Sequence, residues 1–89
     1  MASEANNLKE KLDKYLAKAK PAFDDIRVLD ERGVKVKDTA LRYYSDAQHF
    51  MGRGELVNAF AALEYAEGWL DAGVATGVVS VKTKRKEDL

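Results

Sequence analysis

The chain has 89 residues, a formal net charge of zero, 46% hydrophobic and 34% charged residues, and no cysteine. This composition describes one small folded domain and excludes a disulfide framework or a zinc–cysteine site. A neutral total argues against a dedicated nucleic-acid binder, which needs many phosphate contacts, and no apolar run reaches the roughly 18 residues of a membrane span.

The first predicted element is a long amphipathic helix over 4–32. Leu8, Leu12, Tyr15, Ala19, Ala22, Ile26 and Leu29 recur at alternating intervals of four and three, which keeps one stripe on one face. Ser3 is placed as its N-cap. The opening "MASEANNLKEKL" lacks the apolar core of a secretory signal, so a cytoplasmic protein is expected. Pro21 removes a helical hydrogen bond and clashes with the preceding turn, at about 3 kcal/mol. The helix either breaks near Ala19–Lys20 or continues with a kink. The stripe keeps its phase through Pro21, which favours the kinked helix. Gly33 reads as the left-handed cap that ends it, with Arg32 favourable in the last turn.

"VKVKD" reads as a short connection, with Asp38 or Thr39 capping a second helix over 37–52. That helix carries Leu41, Tyr44, Ala47 and Met51 on one face and Tyr43 and Phe50 beside them. Gly52 and Gly54 stop it. Glu55 opens a third helix over 55–73, where its charge suits the helix dipole. This helix has a large stripe, Leu56, Phe60, Leu63 and Leu70. It also has a small one, Ala59, Ala62, Ala66 and Gly73, with Trp69 included. Small residues at this spacing let a neighbouring helix come close, so the third helix touches two partners. Gly73 reads as its cap, with continuation into "VATGV" left open, and 82–89 is a charged flexible tail. The expected fold is all-α: one domain, an antiparallel three-helix bundle with a Pro-kinked first helix.

Residues 43–73, "YYSDAQHFMGRGELVNAFAALEYAEGWLDAG", carry a wider pattern. An aromatic and Asp-Ala lie in helix two and a phenylalanine precedes the glycine corner. Ala-Phe, Tyr-Ala, Gly-x-Leu-Asp and Ala-Gly follow. This stretch resembles the core of a small archaeal helical family known as domain of unknown function 357. The resemblance implies a closed three-helix bundle. It implies no activity and no role for Asp46, Tyr65, Trp69 or Asp71.

Little catalytic chemistry is visible. Arg42 and His49 lie two turns apart on one helix face. Some RNA-cleaving helical domains pair Arg and His in this way, with histidine as base and arginine steadying phosphate charge. An RNA-associated or RNA-processing domain is therefore the alternative reading, against two solvated positions on an outer face. Glu64, Glu67 and Asp71 form an acidic stripe that reads as a solvated face or a dock for basic residues. No Glu-x-x-His accompanies them, so no metal or cofactor is expected. The glycine corner is too short for a phosphate loop.

The sequence thus points to a non-enzymatic module that binds a protein partner or a second copy. At 29 residues the first helix would span about 43 Å, against about 24 and 29 Å for the other two. Its leading stripe, Leu8, Leu12 and Tyr15, is then left uncovered as the expected partner surface. The small stripe yields a stability test. Ala62→Leu should overpack the bundle and destabilise it by about 1–3 kcal/mol in denaturant melts. A neutral result would place Ala62 on the outside.

Overall fold

The computed structural model describes residues 2–82. It contains the helix α1 (Ala2–Asp24), the strand β1 (Ile26–Val28), the helices α2 (Glu31–Gly52) and α3 (Leu56–Ala75), and the strand β2 (Val79–Val81). The expected tail lies outside the described residues, apart from Lys82. The three-helix bundle is present, with an addition the periodicity did not anticipate: β1 and β2 form a two-stranded antiparallel ribbon.

The first helix runs through Pro21 without interruption but ends at Asp24, not 32. Ala17 and Pro21 are both exposed, so the carbonyl that Pro21 leaves without a donor faces water. Ser3 lies inside the first turn, not at the cap. Two acids, Asp24 and Asp25, sit at the negative end of the helix dipole, where they favour termination. The Asp25 amide closes the last turn on the Ala22 carbonyl at 3.1 Å. Ile26 and Val28 are β-branched and extend readily. They pair Ile26 with Val81, Arg27 with Ser80 and Val28 with Val79. The ribbon is extended by Leu29 N–H donating to the Val78 carbonyl at 2.9 Å. At its other end Lys82 N–H donates to the Asp25 carboxylate at 2.8 Å.

The second helix therefore starts six residues earlier than 37. Asp30, in extended backbone, is its N-cap, replacing Asp38 and Thr39. Its carboxylate accepts from the Arg32 amide at 2.9 Å and pairs with the Arg32 guanidinium at 2.7 Å. The Arg32 side-chain bond holds the Asp30 carboxyl below its ordinary value of 3.8. The cap is thus complete above that value and weakens as pH falls through the depressed one. "VKVKD" is helical. Gly33 is no cap: it lies buried in the first turn of α2 and has no positive φ. A Cβ there would meet the Val78 carbonyl oxygen at 2.1 Å, so only glycine lets the first turn of α2 sit against the chain leaving α3.

With these boundaries the length mismatch disappears. The 23, 22 and 20 residues of α1, α2 and α3 span about 34, 33 and 30 Å. α2 and α3 form a tight hairpin. Its corner is Arg53 and Gly54, the latter at φ +76°, and the Glu55 amide returns to the Phe50 carbonyl at 2.9 Å. Ala40, Tyr44 and Ala47 face Ala62, Leu63, Ala66 and Leu70 in one core, which Ala19, Ala22, Phe23 and Ile26 close from the α1 side. Phe23 stacks on Tyr44 at 4.5 Å, and the Tyr44 hydroxyl donates to the Leu16 carbonyl at 2.8 Å. Burial, and secondarily the negative charge of Asp24, pushes the Tyr44 hydroxyl above its ordinary value. The third helix passes Gly73 and ends at Ala75, capped by Thr76, with Gly77 at φ +75°.

Two glycines give opposite expectations. Gly33→Ala meets backbone and should destabilise by about 1–3 kcal/mol or more. Gly68 has nothing within 4 Å of an added Cβ, so Gly68→Ala should stabilise α3 by about 0.5–1 kcal/mol. Urea melts of both variants check the pair, and equal shifts would contradict the packing described.

Candidate interaction face

The Ala, Leu and Glu content of α3 gives strong helix propensity, and its only polar residues besides the aromatics are Asn58, Glu64, Glu67 and Asp71. Ala59, Ala62, Leu63, Ala66, Leu70 and Gly73 are buried against the rest of the bundle. The opposite side is also largely apolar. Val57 is 76% exposed, Tyr65 62% and Trp69 39%, and Ala61, Gly68 and Ala72 lie open between them.

These side chains frame a shallow groove of about 630 Å³ lined by Ala61, Glu64, Tyr65, Gly68, Trp69 and Ala72. The small residues make its floor and the aromatics its wall. That wall is fixed from α2. Tyr43 stacks on Tyr65 with ring centroids 5.3 Å apart and planes at 22°. The Arg42 guanidinium lies 5.7 Å from the centre of the Tyr43 ring. Arg42, Tyr43 and Tyr65 form a continuous stack from one helix to the next.

The residues singled out in the sequence fall elsewhere. Leu12 is fully buried, Leu8 is half-buried, and Tyr15, 44% exposed, lies edge-on to Phe60 at 6.0 Å. Leu12 belongs to the chain's own core and is out of a partner's reach. Helix α1 ends at Asp24 rather than 32, so its stripe does not outrun the other two helices. Arg42 and His49 are both exposed on α2, but they have different neighbours: Arg42 turns onto Tyr43, and His49 tilts against Phe50 at 6.5 Å. Among the described residues no three His, Asp or Glu side chains gather as a metal-binding group. No helix among them is long and apolar enough to cross a membrane.

The architecture has relatives. A family model described as protein of unknown function (DUF357) matches residues 7–79. The chain belongs to the DUF357 family. The crystal structure of a DUF357 protein from Archaeoglobus fulgidus is similar, with a TM-score of 0.74 and 26% identity. The likeness covers 88% of this chain and 97% of that one. No curated protein matches. DUF357 membership accounts for the three helices and assigns no chemistry to any residue.

Reading the aromatic wall required the α2–α3 register, since Tyr43 and Tyr65 are 22 residues apart. The sequence signal was present in the composition of α3, which carries apolar residues on both its inner and its outer side. The stack places Tyr43 behind Tyr65, which lines the groove. A double-mutant cycle of Tyr43→Ala and Tyr65→Ala in thermal melts should give a coupling of about 0.5–1.5 kcal/mol. Additive effects would show that the stack is incidental.

Proposed function

We propose that this chain is a non-enzymatic helical interaction module that docks a helix of a partner protein on the outer face of α3. One observation carries the reading: α3 is rich in apolar residues on its outer side as well as its inner one, yet among the described residues no element packs on that outer side. Helices of that composition are ordinarily enclosed. A rimmed apolar groove with an aromatic wall is the usual form of a helix-docking surface. Its aromatics are the residue types that dominate binding energy in interfaces. Tyr65 is held by Tyr43 before any partner arrives, so less order is lost on docking. The absence of cysteine accords with a cytoplasmic setting. The separate surroundings of Arg42 and His49 support a binding role over an RNA-cleaving one.

Site-specific crosslinking tests the proposal. A photoreactive amino acid replaces Gly68 in the full chain, expressed in the native host. A parallel sample carries it at Gln48, exposed on α2. A discrete protein adduct is expected at position 68 and not at 48, with the joined peptide lying in a helical segment. No adduct, the same adducts at both positions, or attachment to RNA would overturn the reading.

A further inference from the structure

We propose that the basic run Lys84, Arg85 and Lys86 closes as a clasp on the side of α3 that carries Glu67 and Asp71. The proposal stands apart from the docking reading above. Phe60, Glu64, Glu67 and Asp71 recur at intervals of four, three and four, which sets them on one side of α3. Phe60 meets Tyr15 edge-on at 6.0 Å, so that side borders α1. Glu67 and Asp71 each have a partner within the chain. The ion pairs among the described residues use other carboxylates: Asp13, Asp24, Asp25, Asp30 and Glu55.

The path of β2 brings cations to the same side. Val79 lies at the α2–α3 seam, where a Cβ on Gly73 would meet Val79 at 2.8 Å and Val36 at 2.7 Å. Two residues on, Val81 pairs with Ile26, and the Lys82 amide donates to the Asp25 carboxylate at 2.8 Å, beside the end of α1. The strand therefore crosses the end of the bundle from α2 towards α1. It delivers the following residues next to the side of α3 that borders α1. Asp71 lies one turn before the end of α3 at Ala75, and Glu67 one turn further back. Extended chain advances about 3.3 Å per residue against about 5.4 Å for a helical turn, so residues 84–86 can reach both carboxylates.

Charge selects these two acids. At the end of α1, Asp24 already answers Lys20 at 2.6 Å and Asp25 answers Arg27 at 3.6 Å. Glu31 and Asp38 belong to α2, which the strand leaves behind. Three successive cations then meet two carboxylates a turn apart. One exposed ion pair contributes little, so the clasp depends on several charges acting together and weakens as salt screens them. Glu64, next in the row, also lines the groove of α3, so the clasp runs along the margin of that groove.

The chain has no cysteine, so Leu89→Cys accepts a single nitroxide label on the full-length protein. At low salt the amide signals of Glu67 and Asp71 should broaden several-fold more than that of Gln48, exposed on α2. High salt should remove the difference, and so should Lys84→Gln, Arg85→Gln and Lys86→Gln combined. Glu67→Lys with Asp71→Lys should abolish it, and adding Lys84→Glu, Arg85→Glu and Lys86→Glu should restore it. Far-UV circular dichroism checks that the variants fold, and the salt series needs no charge variant. Equal broadening at Glu67 and Gln48 would overturn the proposal. So would selective broadening that survives high salt and the glutamine variant, or a folded double reversal that restores nothing. No partner takes part in these measurements, so their failure leaves the crosslinking test of the docking reading untouched.

Discussion

The carbonyl oxygen of Val78 occupies the space where residue 33 would carry a side chain. That contact holds the molecule's two ends of traffic together: the chain leaving α3 and the first turn of α2. The same oxygen accepts the Leu29 amide, so one atom joins the α1–α2 connection to the segment before β2. Around it Val79 is almost fully buried. A Cβ on Gly73 would run into Val36 at 2.7 Å and Val79 at 2.8 Å, so α3 approaches at a distance only glycine permits. A pair of glycines on two helices thus sets how closely α2, α3 and the ribbon lie, and the Ala-rich core between α2 and α3 follows from that spacing.

The hairpin was legible because its signals agree. Small residues recur at helical spacing in α3, the glycine corner separates two periodic stretches, and both point to close packing. The end of helix one was not, because two periodicities coincide there. Ile26 and Leu29 continue the helical stripe in phase, yet they belong to a strand and its exit. The local chemistry contradicted the stripe. Asp24 and Asp25 stand at the wrong end of the dipole, and Asp30 followed by Glu31 is a helix start. Gly33 suggested a cap because glycine often ends helices, whereas here it is demanded by an atom 45 residues further along the chain. No local rule contains that information.

The outer face of α3 shows the same division. That α3 carries apolar residues on more than one side could be read from its composition, but which side is open among the described residues depends on how the helices are placed. Leu12 of α1 is fully buried, whereas Tyr65, Gly68 and Trp69 of α3 stay exposed. Membership of the DUF357 family is consistent with a scaffold whose helices are set by packing.

The ribbon joins residues 26–28 to residues 79–81, the first connection to the last described strand. During synthesis the amino-terminal part of the chain exists before the segment that secures it. The helices can form locally as they emerge, since helical contacts are short-range. The α1–α2 corner cannot close until Val78 and Val79 have been made. Until then Ile26 has no strand partner and the hollow at Gly33 is empty, so the growing chain carries an open strand edge and an unfilled apolar corner. Closure of that corner therefore waits for the segment from Val78 to Val81, and until it is in place the β1 edge stays unpaired.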